Sequence, residues 1–411
     1  MRIGNNGRFH LTYCTKIHRA NGWSELFEAI KSYVPTLKSH LSPDQPFGIG
    51  LRLSATASAQ LLEPSRLRAF KAFLADHDLY VFTMNGFPFG DFYGPPVKAQ
   101  IFAPDWQDEQ RVQYTLRLIE ILRQLLPEGA EGSISTLPLS YKSWVLADDE
   151  EKAMERIVRN LLCVVEALIH VRKEYGCTIH LDIEPEPDGL VENIGEFIQF
   201  YQKWLQPCGV PLLAKSLQVN VAEARRYVED YLRLCLDTCH LAVAYEEPAD
   251  VLRLLAEAGI GIGKVQITSG LRVPIPKTRE KRTDLSRCLS RFAESDYLHQ
   301  VIGRRADGSG NRFPDLCQAL PHLEECRDDE WRIHYHMPLF VEDYQMLHST
   351  QSETVRLLQL LKETGFTRHL EIETYTWEQL PADLKTPLHD SLLQEYRFVL
   401  SVLEEKMQGT K

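Results

Sequence analysis

The sequence predicts an α/β fold, a (β/α)8 TIM barrel with an insertion after the seventh strand. Short apolar runs alternate with segments of helical periodicity along most of the 411 residues. Several of these runs end in a carboxylate, a histidine or a glutamine, which is typical of barrel strands that deliver polar groups to their C-terminal ends. A doubly wound sheet would need a glycine-rich phosphate turn after the first strand, and the sequence has none there.

The predicted elements alternate in order along the chain. Strands are predicted over residues 9–14, 47–53, 79–85, 132–138, 178–184, 234–240, 263–268 and 369–376. Helices are predicted over residues 24–38, 64–76, 108–126, 148–175, 193–205, 216–231, 248–258, 353–364 and 388–407. A ninth strand-like run, residues 331–338, is assigned to the insertion. We therefore expect a single domain over residues 1–411 that contains an insertion over residues 272–331, with one helix within residues 272–314.

Local signals justify the individual elements. Residues 24–38 have helical apolar spacing after a serine, and the strand 47–53 contains two glycines that suit close packing. Residues 79–85 are rich in β-forming residues, and residues 132–138 form a strand of small polar type between two amphipathic segments. Pro274, Pro276 and the charged run 277–282 interrupt the alternation and mark the insertion. That run is interpreted as a solvated face, with phosphate binding as the less favoured alternative.

The fifth predicted strand carries three ionisable side chains on one face. Strand alternation places His180, Asp182 and Glu184 together and the apolar residues between them on the other face. Both faces of a parallel barrel strand can be buried, and buried ionisable groups are costly unless they are paired or used. This row points to a functional interior.

The end of the sixth predicted strand has two interpretations. Asp237 ends an apolar run, and His240 follows three residues later. These groups could serve a site at the strand end. Alternatively, Asp237 or Thr238 caps the next helix and His240 is a surface residue beside it.

If the barrel forms, polar side chains from several strands meet at its C-terminal mouth. Oxygen ligands together with an imidazole suit a catalytic divalent ion such as Mn, Mg, Co or Zn. Two glutamates could remove and return a proton at a carbon next to a carbonyl, which is isomerase or epimerase chemistry on a sugar-like substrate. A buried salt-bridge network without metal is the alternative. The candidate catalytic residues are Glu184 and Glu373, and the candidate metal ligands are Glu184, Asp237, Gln266, His336 and Glu373.

Further polar and aromatic side chains are candidates for substrate binding. Residues 86–94 combine four aromatic residues with three glycines. This loop could form an apolar wall for a ligand or plug the barrel. The candidate substrate-binding residues are His240, Asn85, Phe87, Phe89, His334 and Trp377.

Composition limits the partners and the location. The formal net charge of −11 argues against general nucleic-acid binding, which depends on clustered Lys and Arg. No run approaches the ~18 apolar residues of a membrane span, and residues 1–18 lack the apolar core of a signal peptide. The nine cysteines form no Cys-x-x-Cys pair and are interpreted as reduced thiols. We expect a cytoplasmic protein that binds a small-molecule substrate, and the sequence leaves its oligomeric state open.

The strand ends resemble those of the xylose isomerase-like barrels of the sugar phosphate isomerase/epimerase superfamily, which also contains zinc-dependent apurinic endonucleases. The similar segments are residues 181–187, 236–240, 265–267 and 372–374. The resemblance implies a metal bound by Glu184, Asp237, a seventh-strand ligand and Glu373. It places His240 where the family contacts substrate or, in the endonucleases, a second metal. Gln266 stands where many epimerases have His, so His336 could substitute for it.

Residues 85–90, 184–189 and 333–339 are similar to metabolite-traffic EboE-type proteins. This similarity implies that the protein moves or processes a secondary-metabolite precursor. Two classes stay open: a metal-dependent, isomerase- or epimerase-like enzyme, and a non-catalytic metabolite-binding or scaffold protein on the same barrel. An apurinic endonuclease-like phosphodiesterase is less favoured, because those enzymes need histidines from early strands and this chain has Asn85 at the third-strand end.

Overall fold

The computed structural model describes residues 1–90, 98–293 and 296–404, apart from the side chain of Asn5. Residues 91–94 of the predicted aromatic loop and residues 405–407 of the predicted last helix lie outside this range. The strands within it are, in chain order, β1 (Arg2–Ile3), β2 (Phe9–Tyr13), β3 (Phe47–Arg52), β4 (Leu79–Asn85), β5 (Glu131–Thr136), β6 (Thr178–Ile183), β7 (Leu232–Asp237), β8 (Ile262–Ile267), β9 (Leu271–Pro274), β10 (Val301–Arg304), β11 (Arg312–Phe313), β12 (Glu330–Ile333), β13 (Asp343–Tyr344), β14 (Leu347–Ser349) and β15 (His369–Ile372).

Helices connect most of the barrel strands. The α-helices of the described residues are α1 (Trp23–Leu41), α2 (Ala55–Leu61), α3 (Pro64–Asp76), α4 (Glu109–Leu125), α5 (Glu150–Tyr175), α6 (Ile194–Phe200), α7 (Val210–Leu217), α8 (Val221–Tyr231), α9 (Thr238–Val243), α10 (Pro248–Ala258), α11 (Arg279–Leu289), α12 (Leu316–Ala319), α13 (Gln351–Thr364) and α14 (Leu388–Glu404). None of them is long and apolar enough to cross a membrane.

Eight parallel strands close into a barrel. The larger sheet has the order β1-β2-β15-β8-β7-β6-β5-β4-β3, and only the short β1 pairs antiparallel. A parallel bridge between Cys14 and Gly50 joins the two ends, and the Thr12 hydroxyl donates to the Gly48 carbonyl at 2.9 Å. Each barrel strand is followed by at least one helix, so the predicted (β/α)8 fold is confirmed.

The long connection after β8 builds a second, antiparallel sheet. Its order is β11-β10-β12-β9-β14-β13, and it packs over an apolar core of its own that includes Leu285 and Trp331. The strands of this sheet run from Leu271 in β9 to Ser349 in β14, so the sheet extends beyond residues 272–331, the range assigned to the insertion. One helix is expected within residues 272–314, and the described part of this range contains α11, whereas α12 begins beyond it at Leu316. The sequence did not reveal the sheet, because its strands have at most four residues and alternate with exposed charges.

Several predicted boundaries are wrong for local reasons. The predicted helix 193–205 continues through a π-helical stretch, Tyr201–Gly209, into α7. The next helix begins at Val221 rather than 216, because Gln218 adopts a left-handed φ of 56° and the Asn220 side chain caps α8. The sixth barrel strand ends at Asp237, where α9 starts at once. Helix α2, capped by Ser54, was not predicted.

Charged side chains fill part of the barrel interior. Lys264 Nζ lies 2.5 Å from Glu371 Oε2, and both side chains are fully buried. Glycines make room for the carboxylates, because a Cβ at Gly50 would overlap Glu371 and a Cβ at Gly263 would overlap Asp182. The two glycines expected to allow close packing in the second strand thus include one that accommodates a buried ion pair.

Candidate metal centre

Three carboxylates meet at the C-terminal mouth of the barrel. Glu184 directly follows β6, Asp237 ends β7, and Glu373 directly follows β15. Each is at most 3% exposed, and oxygens of the three groups lie within 4.8 Å of one another. The barrel topology brings these strand ends together, as the sequence predicted. Like charges buried this closely need a cation or protons.

Asp237 both caps a helix and faces this centre. Its Oδ1 accepts hydrogen bonds from the backbone N–H groups of Cys239 and His240, at 2.7 and 3.2 Å, and from the Thr268 hydroxyl. Its Oδ2 is buried and has no hydrogen-bond partner among the described residues. The helix-cap interpretation is therefore correct for Asp237. The same alternative made His240 a surface residue. That part is wrong, because His240 is only 6% exposed and lies in the site.

His336 presents an unused nitrogen to the same centre. It follows β12, so the second sheet supplies it. Its Nδ1 lies 2.6 Å from the Glu373 carbonyl oxygen, which can only accept, so Nδ1 carries the proton. Its Nε2 is then a lone-pair acceptor, and within the described structure it is buried without a partner. Ligand atoms of His336, Asp237 and His240 lie within 4.8 Å of one another.

His240 and His334 face each other with matching lone pairs. His240 Nδ1 donates to the Pro185 carbonyl oxygen at 2.9 Å, and His334 Nδ1 donates to Gln300 Oε1 at 2.8 Å. The Gln300 amide is oriented by its Nε2, which donates to the Pro187 carbonyl oxygen at 3.1 Å. The two Nε2 atoms, 3.1 Å apart, are both acceptors in the neutral rings. A proton or a cation between them would relieve this contact.

Burial dominates the electrostatics of the centre. It raises the pKa of Glu184 well above its usual range, and the neighbouring Glu373 and Asp237 carboxylates add to the effect. Burial also raises the pKa of Asp237 to about 6 and lowers the pKa of His240 to about 4. Each shift disfavours the charged form. A bound cation would oppose the shifts of the two carboxylates, because it favours their ionised forms, and would reinforce the shift of His240, because it also favours the neutral imidazole.

Two predicted residues form hydrogen bonds to Glu373. Gln266 donates its Nε2 to Glu373 Oε2 at 2.8 Å, and its Oε1 accepts from the Cys235 thiol at 3.0 Å. Asn85 donates its Nδ2 to Glu373 Oε1 at 2.8 Å. Gln266 therefore lies at the centre but turns an N–H group, rather than its oxygen, toward the carboxylate.

Sequence reasoning missed Lys16 and Glu186. Lys16 lies in the turn after β2, and its Nζ is 3.1 Å from Glu373 Oε1. Its position just beyond the first strand was the available signal. Glu186 lies in residues 184–189, one of the segments similar to EboE-type proteins. A carboxylate oxygen of Glu186 lies within 4.8 Å of ligand atoms of His240 and His334. Burial raises the pKa of Glu186 to about 8.

The aromatic side chains that were candidates for substrate binding pack against other rings and the apolar cores. The Phe87 ring packs 5.5 Å from Phe102, and the Phe89 ring packs 5.2 Å from Tyr114, measured between centroids. Trp377 donates its Nε1 to a backbone carbonyl oxygen at 3.1 Å and packs against both apolar cores. Within residues 86–90, the packing agrees with the plug alternative rather than an open apolar wall.

The donor atoms fit a divalent cation. Two sets of possible ligands share Asp237: Glu184 and Glu373 complete one set with oxygens, whereas His240 and His336 complete the other with nitrogens. Mixed oxygen and imidazole ligands suit Zn, Mn or Co, and the all-oxygen set suits Mg or Mn. The unpartnered Asp237 Oδ2 and His336 Nε2 are the atoms that a bound ion would satisfy.

No protein-family model matches the chain, and no curated protein sequence matches it. Several solved structures are similar. The probable 3-DHS dehydratase AsbF, involved in petrobactin synthesis, from Bacillus anthracis is 12% identical with a TM-score of 0.46, over 97% of this chain and 99% of that chain. The IolI protein with a binding zinc atom is 12% identical with a TM-score of 0.47, over 97% and 100%. A xylose isomerase domain protein from Alicyclobacillus acidocaldarius subsp. acidocaldarius is 11% identical with a TM-score of 0.43, over 96% and 100%. The solved structures similar to this chain thus include xylose isomerase-like barrel proteins.

Proposed function

We propose that the protein is a metal-dependent, isomerase- or epimerase-like enzyme that acts on a sugar-like substrate or a secondary-metabolite precursor. One observation carries this proposal: the buried carboxylate cluster adjoins two polar atoms, Asp237 Oδ2 and His336 Nε2, that have no partner in the described structure. Buried polar atoms are normally satisfied, and unsatisfied ones converging on a carboxylate cluster indicate a ligand.

Asp237 is the proposed central ligand, because it belongs both to the set with Glu184 and Glu373 and to the set with His240 and His336. Glu184, His336 and Glu373 are available on either side of it, and Gln266 could contribute only after its amide turns over. A bound Mn, Mg, Co or Zn ion would polarise hydroxyl and carbonyl oxygens of the substrate.

Glu184 and Glu373 are the proposed proton-transfer pair. Glu373 receives N–H donors from Lys16, Asn85 and Gln266, whereas the Glu184 carboxylate has the Cys235 thiol and His240 Nδ1 beside it, each at 3.8 Å. Such different surroundings suit two different protonation roles. One carboxylate takes the proton from a carbon next to the substrate carbonyl. The other returns a proton to the opposite face of that carbon, or to its neighbour.

The proposed substrate class and the proposed role in metabolite traffic rest on the sequence. The similarity of three segments to metabolite-traffic EboE-type proteins supports a place in moving or processing a secondary-metabolite precursor. A small-molecule substrate and a cytoplasmic location belong to the same proposal. The net charge of −11 and Asn85 at the end of β4 argue against nucleic acid as substrate and against an apurinic endonuclease-like activity.

A non-catalytic, metabolite-binding or scaffold protein is the second candidate. The observation that favours it is that both oxygens of Glu373 already accept hydrogen bonds from N–H groups. A carboxylate so restrained could serve only to hold the barrel mouth together.

Elemental analysis of the purified protein, with and without chelator treatment, tests the proposal. The Glu184→Gln, Asp237→Asn double variant is analysed beside it. A stoichiometric ion that the variant lacks supports the enzyme proposal, and screening ketoses and their epimers in D2O for solvent deuterium at carbon follows. Absence of an ion after loading with each of the four metals would reject metal-dependent chemistry in favour of the binding protein.

A further inference from the structure

Lys16 is a buried cation at the edge of the candidate metal centre. It lies in the turn Thr15–Ile17 that ends the first barrel strand, and it is 6% exposed. Its Nζ is 3.1 Å from Glu373 Oε1 and 4.1 Å from the centroid of the Tyr375 ring. A positive charge therefore already lies beside one of the three clustered carboxylates.

The backbone around Lys16 holds it in this position. The Cys14 N–H donates to the Ile372 carbonyl oxygen at 2.8 Å, which ties the turn to the last barrel strand. The Thr15 hydroxyl accepts the Arg52 N–H at 2.9 Å, which ties the turn to the second barrel strand. The lysine thus points at Glu373 from a fixed turn rather than from a surface loop.

The ligand atoms of the centre fall into occupied and unoccupied groups. Both oxygens of Glu373 accept hydrogen bonds: Oε1 accepts from Lys16 and Asn85, and Oε2 accepts from Gln266. The atoms without a partner in the described structure are Asp237 Oδ2 and His336 Nε2. An ion that used Glu373 would have to share Oε2 with the Gln266 N–H group or displace a donor, and in either case it would approach an ammonium group, whereas an ion at Asp237 and His336 displaces no donor from Asp237 Oδ2 or His336 Nε2.

We propose that Lys16 is a positioning residue that serves as the permanent counter-ion of Glu373, competes with divalent cations for that carboxylate and so confines the metal to Asp237 and the histidines. The proposal deepens the proposed function, because it leaves Glu373 free of metal and available for proton transfer. It also explains why an amide donor, Gln266, suits the seventh strand here: its N–H group stabilises an ionised Glu373 that carries no metal.

Metal titration of four variants tests this assignment without a substrate. Calorimetry measures Mn2+ and Zn2+ binding, and the visible spectrum of the Co2+ form reports the ligand set. Lys16→Met should bind Mn2+ about tenfold or more tighter than wild type, because the repulsion is gone and Glu373 is released. Lys16→Arg keeps the charge and should behave as wild type.

The remaining variants separate competition from a structural effect. Glu373→Gln alone should keep the wild-type Co2+ spectrum and lose little affinity compared with Asp237→Asn, because it leaves the ligands in place but the Lys16 charge unpaired. In the Lys16→Met background it should abolish the tenfold gain. Lys16→Met that binds Mn2+ no tighter than wild type would overturn the proposal, as would Glu373→Gln that loses affinity as Asp237→Asn does. If Lys16→Met does not fold, the Glu373→Gln result alone decides.

The outcome also distinguishes this inference from the proposed function. An ion bound by Lys16→Met but not by wild type would reject the metal-dependent enzyme and also the metal position at Asp237 and the histidines, and would leave only the competition at Glu373. No ion in either protein would reject both. An ion in both proteins with equal affinity would retain the enzyme proposal and reject the role of Lys16.

Discussion

The Nε2 atoms of His240 and His334 lie 3.1 Å apart although each ring donates its Nδ1 proton to an oxygen acceptor. In the neutral rings, two lone pairs therefore face each other in a buried site. His240 comes from the helix after β7, and His334 follows β12 of the second sheet. The contact marks the place where the barrel and the inserted sheet share one site.

His336→Ala tests whether the unpartnered nitrogen is a metal ligand. The variant removes Nε2 without breaking another side-chain contact of that atom. We expect the affinity for Zn2+ or Mn2+ to fall by about 10- to 100-fold or more, since even outer-shell partners of a metal have effects of that size. Isothermal titration measures the change, with the exposed His40→Ala as the matched control. An unchanged titration would remove His336 from the ligand set.

Glu184→Gln and Glu373→Gln test the proton-transfer pair. Each variant keeps the size of the side chain but cannot exchange a proton. We expect each to lower turnover by about 10^2- to 10^4-fold or to abolish it, with an unchanged circular dichroism spectrum. The exposed Glu363→Gln should retain full activity. Full activity in both site variants would exclude the two-glutamate mechanism.

Asp237→Asn tests the central ligand. An amide is a weaker ligand than a carboxylate for a hard cation, so we expect metal occupancy to fall. The Asn oxygen can still accept the helix-capping N–H groups that Asp237 Oδ1 now accepts, so the fold should persist. Elemental analysis after dialysis gives the occupancy. Undiminished occupancy would place the ion elsewhere.

Lys264→Met tests the buried ion pair inside the barrel. The change leaves the fully buried Glu371 carboxylate without its cation. We expect the free energy of unfolding to fall by about 3–5 kcal/mol, as measured by urea denaturation. The Lys264→Met, Glu371→Leu double variant should recover much of the loss, because it removes both charges. A single variant as stable as wild type would show that Glu371 is protonated in the folded protein.

Glu395→Gln tests a pH dependence outside the metal centre. Burial raises the pKa of Glu395 from 4.5 to about 7 in the folded protein. The folded state therefore holds an extra proton between these values, and this residue makes stability fall as the pH rises through that window. The variant lacks the effect. Relative to wild type, its free energy of unfolding should improve by up to about 3 kcal/mol between about pH 5 and about pH 8. A constant difference across this range would contradict the shift.

The sequence predicted the barrel, and indicated which carboxylates meet at its mouth, for one physical reason. Barrel strands are apolar runs that end in polar groups, so Glu184, Asp237 and Glu373 could be recognised one strand at a time. Gln266 and His336 could also be placed, but not their hydrogen bonds, because amide orientation and tautomer depend on neighbours distant in sequence.

Other features carry no local signal. Lys16 is a single lysine after a strand, and its partner Glu373 lies 357 residues further along the chain. The four-residue strands of the inserted sheet are stabilised by pairing with each other, for example β12 with β9 and β10. The aromatic residues Phe87 and Phe89 suited either a ligand wall or a plug, and their packing on Phe102 and Tyr114 became visible only in the fold.

His334 and His336 follow β12 of the inserted sheet and reach a site at the barrel mouth. This arrangement links ligand binding to the cooperativity of unfolding. The barrel and the inserted sheet have separate apolar cores, so each could melt on its own. A ligand that needs Asp237 from one core and His336 from the other binds only when both are intact. Its binding free energy therefore penalises every state in which either core has opened. The metal-bound protein should unfold in one transition. Removal of the metal removes the bonds that couple unfolding of the barrel core to unfolding of the inserted sheet.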